Sequence, residues 1–141
     1  MPYFTRARTK AVRGIIRSDF EYEEQAMNLP LSEIAGVLIA TVSGRIDHAN
    51  ADAFNAALEP LLKNCVGGAK PLILDFTGVD YISSVGLRSL MLASRQAKSQ
   101  QGAFAIAGMQ ATVQEVFTIS RFNLIMPCYT NVAAACKVLG S

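Results

Sequence analysis

Between Leu29 and Gly140 the chain alternates strand-like apolar runs with segments of helical periodicity, and this alternation constrains the fold more than any other feature. A hairpin comes first: a tight turn at Ala35 and Gly36 joins the runs 29–35 and 37–46, and the second run is rich in β-branched residues. Helical segments at 50–64, 84–99, 111–120 and 131–140 then alternate with strand-like runs at 70–78, 103–108 and 124–130.

The order β-β-α-β-α-β-α-β-α predicts an α/β fold. Strands that alternate with helices imply right-handed crossovers, so we expect a mostly parallel sheet of four to five strands with about four helices packed on it. The first strand should be antiparallel, since a tight turn joins it to the second. In open sheets of this kind, sites gather in loops beyond the carboxyl ends of the strands. Here those loops carry the sequences GRIDHAN and DYISSVG.

Three residues refine this prediction. Pro60 lies in the first helical segment and should kink the helix or split off its last turn, because proline has no N–H to donate. Pro127 lies in the last strand-like run and predicts an edge strand, since it cannot contribute to a hydrogen-bond ladder. Asn131 is the predicted N-cap of the last helix, and Gly140 lies just past its end.

The composition excludes several functional classes. The chain has 141 residues, 51% hydrophobic and 17% charged, which predicts one globular domain. A net charge of +2 is too weak to indicate nucleic-acid binding. The longest apolar run, 35–42, is too short to span a membrane, and the N-terminus lacks the apolar part of a secretory signal. Three cysteines without CxxC spacing and a single histidine predict reduced thiols in a cytoplasmic protein, with no metal site and no cofactor.

Residues 1–26 differ in composition from the rest of the chain. Five basic residues between Arg6 and Arg17 are followed by four acidic residues between Asp19 and Glu24. We therefore divide the chain into an N-terminal extension, 1–26, and a domain, 27–141. The extension is either a solvated tail or a helix that buries Ile15, Ile16 and Phe20 on the domain or on a second copy, which would make a homodimer.

The segment DYISSVGLRSL places two serines, Ser83 and Ser84, between a buried strand and a helix. A hydrolase elbow would need G-x-S-x-G, and the only histidine, His48, precedes the serines in the chain, so we predict no enzyme. Phosphate-binding glycine motifs are also missing from the sequence. Two alternatives remain. One serine caps the helix, and a first-turn serine accepts a phosphate, which the free N–H groups and the helix dipole favour.

The helix that follows carries a second indication. On a helical wheel Ser84, Arg88 and Arg95 lie within about 40° of each other, Met91 borders this stripe, and Leu92 lies beyond it. The arginines could be a solvated face, but an apolar residue beside a serine and two arginines is also typical of a partner-binding patch. Leu92 could instead contact the helix predicted at 111–120.

From about Met27 to Leu139 the sequence resembles the STAS domain, and in particular the stand-alone bacterial anti-sigma factor antagonists. The resemblance rests on VSGRIDHANADAF, on LILDFTGVDYISSVGLRSLM and on the order of the elements. The family motif is often Asp-Ser-Ser-Gly or Asp-Ser-Thr-Gly, with phosphorylation on the serine after the aspartate. In this chain Ser83 takes the aspartate position, Ser84 the acceptor position, Val85 the next hydroxyl position and Gly86 the glycine position.

The resemblance implies a regulatory binding protein that acts by partner switching. Unphosphorylated, it would bind an anti-sigma factor or a related serine kinase; phosphorylated on Ser84, it would let go. Asp47 matches the aspartate of the family's loop beside the phosphorylation site, although it could also be the N-cap of a helix beginning near Ala49. The expected partner-binding residues are Asp47, Ser83, Ser84, Gly86, Arg88, Met91 and Leu92. The alternative is a STAS subunit of a larger lipid-transport or signalling assembly, in which Ser84 would serve only as a cap.

Overall fold

The computed structural model describes residues 27–140, which form one mixed sheet with helices on both faces. Five strands lie in the spatial order β1-β2-β3-β4-β5. The strands are β1 (Leu31–Ile34), β2 (Val37–Ile46), β3 (Leu72–Ile82), β4 (Phe104–Ala107) and β5 (Cys128–Tyr129). The helices are α1 (Ala51–Lys63), α2 (Ser84–Ser99), α3 (Ala111–Ile119) and α4 (Val132–Leu139), with a short 3-10 helix at Phe122–Leu124.

The strand directions confirm the predicted topology. β1 runs antiparallel to β2, and their turn has positive φ angles at Ala35 (54°) and Gly36 (78°), which suit the twist of a two-residue hairpin. The remaining neighbours, β2 to β5, are parallel, so each connection from β2 onward crosses over through a helix. β5 has two residues and pairs with β4 alone, as expected for the edge strand that follows Pro127.

Helices cover the two faces of the sheet unequally. α1, α2 and α3 enclose the larger core on one face, around Phe54, Phe76, Leu90 and Phe117. α4 encloses a smaller core on the other face; it contains Val37, Ile39, Ile73, Ala107, Ala135 and Cys136. β3 therefore contributes to both cores, which explains its continuous apolar run. Asn131 caps α4, because its Oδ1 accepts the backbone N–H of Ala134 at 2.7 Å.

Three sequence expectations on the elements need correction. The run 124–130 forms a strand only at Cys128–Tyr129, because Leu124 belongs to the 3-10 helix. Pro60 does not split α1, which continues to Lys63. The helix tolerates this proline because the carbonyl that loses its N–H partner belongs to Ala56, which is exposed and can be hydrated. β3 does not end at residue 78 but continues to Ile82. It keeps pairing with the shorter β2 through two register shifts, each of which accommodates one extra residue of β3.

Two further expectations concern the N-terminal extension and membrane insertion. The expectation that residues 1–26 form a tail, a docking helix or a dimer contact falls outside the described residues. No helix within residues 27–140 is both long and apolar enough to cross a membrane.

Candidate functional site

The carboxyl ends of β2 and β3 bring the two predicted loops together. Ile46 and Ile82, the last residues of these strands, pair with each other in parallel register. One residue further along, the backbone N–H of Ser83 donates to the carbonyl oxygen of Ile46 at 2.9 Å. Asp47 and Ser84 therefore lie at the same end of the sheet, as the β-α-β connection predicts.

Asp47 organises the loop between β2 and α1. Its Oδ1 accepts the backbone N–H of Ala49 at 3.0 Å, and its own N–H donates to Oδ1 of Asn50 at 2.9 Å. Asn50 in turn donates from Nδ2 to the carbonyl oxygen of Arg45 at 2.6 Å. The alternative reading of Asp47 as a helix N-cap is wrong, because α1 begins at Ala51 and Asn50 holds the N-cap position. Asp47 instead fixes a side-chain turn before the helix.

The carboxylate of Asp47 is stabilised in its charged form. Desolvation by itself would raise the pKa of Asp47. Hydrogen bonds from the backbone of Ala49, the guanidinium of Arg45 and the backbone of Asn50 outweigh that effect and hold the pKa below its usual value. The Arg45 contact is 3.4 Å from Nε to Oδ2. The loop therefore presents a negative charge at neutral pH.

The two serines have different structural roles. Ser83 is the N-cap of α2, and its Oγ accepts the backbone N–H of Gly86 at 3.2 Å. Ser84 is the first residue of the helix and is exposed. The first turn of α2 contains no acidic residue. The helix N-terminus, where a negative charge is favoured, thus presents the Ser84 side chain to solvent while Ser83 already supplies the cap.

Gly86 sets how closely α2 approaches the strand ends. A Cβ built on Gly86 would lie 2.8 Å from Cγ2 of Ile46, 2.8 Å from Cγ1 of Ile82 and 3.1 Å from the carbonyl oxygen of Ile46. Gly86 is one of the expected partner-binding residues, but it is itself buried. Its effect on a partner would therefore come from how it positions Ser84, and not from a direct contact. A larger residue would push the first turn of the helix away from the sheet.

The other predicted partner residues follow along α2. Arg88 is exposed one turn after Ser84, and Met91 is half-buried and packs against the larger core. Leu92 is 48% exposed. The expectation that Leu92 could contact the helix at 111–120 does not match its position, because it lines a groove with α1. Its exposure leaves it available to a partner.

Three exposed residues at this end were not singled out in the sequence. Arg45 and Tyr81 pair across β2 and β3, and the guanidinium carbon of Arg45 lies 4.3 Å from the centroid of the Tyr81 ring. Tyr81 is 41% exposed, and Val85 in the first turn of α2 is 42% exposed. The sequence does not indicate a role for Tyr81, because the predicted strand 70–78 ends before it. In the family motif Val85 only takes the place of a hydroxyl residue.

The described residues offer little metal or thiol chemistry. Between residues 27 and 140, no three His, Cys, Asp or Glu side chains are grouped closely enough to hold a metal ion. Cys65, Cys128 and Cys136 are free thiols. Burial raises the pKa of the Cys128 thiol to about 11, so this thiol stays protonated near neutral pH.

Comparisons with known proteins agree with the fold and show the family. The model of the STAS domain matches residues 28–135. BtrV of Bordetella bronchiseptica, named as a candidate anti-sigma factor antagonist, is 36% identical over 109 residues, which are 77% of this chain and 91% of BtrV. An anti-sigma factor antagonist from Mycobacterium paratuberculosis has a similar structure, with a TM-score of 0.70, 20% identity and coverage of 79% of this chain and 92% of that one.

A second solved structure is the phosphorylated form of the Bacillus cell fate determinant SpoIIAA. Its TM-score is 0.56 at 18% identity, and the alignment covers 78% of this chain and 98% of SpoIIAA. At these identities the two solved structures show similarity of fold, whereas the family model and BtrV extend the similarity to the sequence.

Proposed function

The chain belongs to the STAS domain family, and we propose that it is an anti-sigma factor antagonist that acts by partner switching. In its unphosphorylated form it binds an anti-sigma factor or a related serine kinase in the cytoplasm. Phosphorylation of Ser84 releases that partner. The chain acts in this scheme as a binding protein and as a substrate of its partner, and it catalyses nothing itself.

One observation carries the proposal: Ser84 is exposed at the N-terminus of α2, at the same end of the sheet as the Asp47 loop. Because Ser83 provides the cap, the hydroxyl of Ser84 is not needed to begin the helix. The name of BtrV and the phosphorylated form of SpoIIAA support the assignment by analogy with relatives. Ser84 also holds the position that the family motif gives to its phosphorylated serine.

A phosphate on Ser84 would be well tolerated by the fold. It would add about −1.5 to −2 charges where the free N–H groups and dipole of α2 favour negative charge. Arg88, four residues further along the helix, is spaced to face it. The modification should therefore leave the domain folded and change the surface that a partner meets.

The same phosphate would be costly inside a packed interface. Val85 and Leu92 are exposed apolar side chains on the helix that begins at Ser84, and a partner that covers them would also dehydrate the phosphate. A loss of about 3 kcal/mol of binding free energy would weaken the affinity by roughly two orders of magnitude. A loss of this size is large enough for the kinase to release the chain.

The experiment that tests the phosphorylation is incubation with a candidate serine kinase and ATP, followed by intact mass measurement and phosphopeptide mapping. We expect one phosphate on Ser84, none on a Ser84→Ala variant, and one on a Ser83→Ala variant. Phosphate on Ser83 alone would show that the register of the motif is wrong. If the kinase binds the chain but Ser84 stays unmodified, the result would favour the alternative, a STAS subunit of a larger assembly that does not switch by phosphorylation.

A further inference from the structure

The end of α3 and the 3-10 helix that follows it carry an exposed apolar patch. Ile119 is 76% exposed and Leu124 is 75% exposed, which makes them the two most exposed large apolar side chains within residues 27–140. Ile125 adds a third apolar side chain at 39% exposure. These three residues form what we call the Ile119 patch. Large apolar side chains grouped on a surface typically mark a site where another molecule binds.

The backbone beneath the patch is held by buried rings and hydrogen bonds. Phe117 and Phe122 are buried, and their rings meet edge to face with centroids 5.2 Å apart. The N–H of Leu124 donates to the carbonyl oxygen of Arg121 at 3.1 Å. The N–H of Ile125 donates to the carbonyl oxygen of Phe122 at 2.9 Å. The apolar side chains are therefore displayed by a well-anchored turn, which has little conformational freedom to lose when it binds.

The patch lies at the opposite end of the sheet from Ser84. α3 follows the carboxyl end of β4 and leads back toward the amino ends of the strands, where β5 begins. The N–H of Ile106 donates to the carbonyl oxygen of Pro127, so the turn that precedes Pro127 lies near the amino end of β4. Ser84 instead follows the carboxyl end of β3. A molecule bound at the Ile119 patch would therefore leave Ser84 and the Asp47 loop uncovered.

Opposite charges flank the patch along α3. Glu115 lies one helical turn before Ile119, on the same face of the helix, and Arg121 lies two residues after it. Both charged side chains are exposed, and neither forms an ion pair with another residue of the described part of the chain. A two-fold rotation about an axis through Ile119 reverses the order of the two charges. Antiparallel alignment of two copies would therefore place Glu115 of each copy opposite Arg121 of the other.

We propose that the Ile119 patch is the contact between two copies of this chain, which align their α3 helices antiparallel about a two-fold axis at Ile119. An interface of this symmetry needs a surface that is complementary to itself. The patch meets this need, because its centre is apolar and its two flanks carry opposite charges. A stable interface buries about 800 Å² on each partner, and three apolar residues supply less, so the dissociation constant should be on the order of 0.1 mM.

Dimerisation through this patch would also affect the proposed function. The two Ser84 residues of the dimer would face away from each other, so that each copy could hold a partner kinase. A partner with several linked binding modules would then bind the dimer more tightly than it binds one copy. This consequence rests on the proposed function, whereas the dimerisation itself does not.

Sedimentation equilibrium of the full chain, without any kinase or phosphate, tests the dimer. The average mass of the wild type should rise from that of one copy toward that of two as the concentration increases from micromolar to millimolar. Ile119→Ser should keep the mass of one copy throughout. The matched control is Val138→Ser, which removes an exposed apolar side chain from α4 and should leave the dimer intact.

Charge reversal tests the antiparallel arrangement. Glu115→Arg places like charges at both contacts of the dimer, and so does Arg121→Glu, so each variant alone should stay monomeric. An equimolar mixture of the two variants should dimerise again, because both contacts between the unlike chains then join opposite charges. If the wild type dimerises while this mixture stays monomeric, the proposed arrangement is wrong.

Three further results would overturn the proposal. The first is a wild type that stays monomeric over the whole concentration range. The second is a dimer that forms equally well in Ile119→Ser, since its contact would then lie on another surface. The third is a monomeric wild type that floats with phosphatidylglycerol vesicles and loses this binding in Ile119→Ser, which would assign the patch to a lipid surface. The proposed function would survive each of these results, because it needs Ser84 and not the Ile119 patch.

Discussion

The N–H of Ser83 donates to the carbonyl oxygen of Ile46 at 2.9 Å, and this bond ties the start of α2 to the end of β2. Two loops that are far apart in the sequence thereby become one surface, with the Asp47 turn on one side and Ser84 on the other. The bond is made by backbone atoms alone. The geometry of this hydrogen bond therefore depends on how closely α2 can approach the ends of the strands, and less on the side chains of Ser83 and Ile46.

That dependence makes Gly86→Ala the first prediction. The added Cβ would lie 2.8 Å from side-chain carbons of both Ile46 and Ile82, so the helix must shift or the isoleucines must move. We expect a loss of about 1–3 kcal/mol in the free energy of unfolding, despite the better helix propensity of alanine. Urea unfolding measures it, with Ser99→Ala at the exposed end of α2 as the control. Equal stability of Gly86→Ala and wild type would show that α2 accommodates the added methyl group without a steric clash.

The second prediction separates the two serines by stability. Ser83→Ala removes the N-cap acceptor of α2 and should cost about 1 kcal/mol. Ser84→Ala changes an exposed hydroxyl in the first turn and should cost less than half of that. Thermal or urea unfolding of both variants checks the difference. If Ser84→Ala proved the more costly, the cap would lie on Ser84 and the division of roles would be wrong.

The third prediction compares two leucines of α2. Leu92 is 48% exposed and Leu90 is fully buried, so they form a matched pair for the same substitution. Leu90→Ala should lower the free energy of unfolding by about 2–5 kcal/mol. Leu92→Ala should lower it by less than about 1 kcal/mol and should weaken binding of the partner kinase. A Leu92→Ala variant that unfolds before it loses its partner would place this residue in the core.

The fourth prediction concerns pH. The pKa of Asp47 is lowered in the folded protein, so its charged form stabilises the fold above the ordinary carboxyl pKa of about 4. This contribution is lost as the pH falls through the lowered pKa of the folded state. We therefore expect Asp47→Asn to be less stable than wild type at neutral pH, with a difference that shrinks on acidification.

NMR titration of the Asp47 carboxyl carbon gives the pKa directly. Its midpoint should lie below about 4 in the wild type and should rise in an Arg45→Ala variant, which removes one of the hydrogen bonds to the carboxylate. A midpoint at or above the ordinary value would mean that desolvation outweighs these hydrogen bonds.

Local sequence patterns predicted much of the fold. α2 runs from Ser84 to Ser99 as its periodicity indicated, and Asn131 caps α4. These features depend on residues close together in the chain, where capping and helical spacing act. The parallel pairing of β2 and β3 was also predictable, because a single right-handed crossover makes consecutive strands neighbours.

The remaining features depend on contacts between distant residues. The extension of β3 to Ile82 requires two register shifts against β2, and no local propensity at Asp80 or Tyr81 announces them. Leu92 points to the groove with α1 because of how the helices are arranged on the sheet, which a helical wheel of α2 cannot show. Pro60 fits within α1 because the carbonyl it leaves unpaired is at the exposed Ala56, again a matter of tertiary position.

Partner switching requires that negative charge at Ser84 releases the partner while the domain stays folded. Calorimetric titration of the purified partner kinase into the wild type, Ser84→Asp and Ser99→Asp tests it most directly. The last variant puts the same charge at the opposite end of α2. An aspartate in the first turn suits the helix dipole, so the melting temperature of Ser84→Asp should stay close to that of the wild type.

A carboxylate carries only part of the charge of a phosphate, so we expect at least about a tenfold loss of affinity for Ser84→Asp, equivalent to about 1.4 kcal/mol. The phosphorylated wild type should lose more, and Ser99→Asp should bind like the wild type. Equal affinity of wild type, Ser84→Asp and phosphorylated protein for the kinase would contradict the switch.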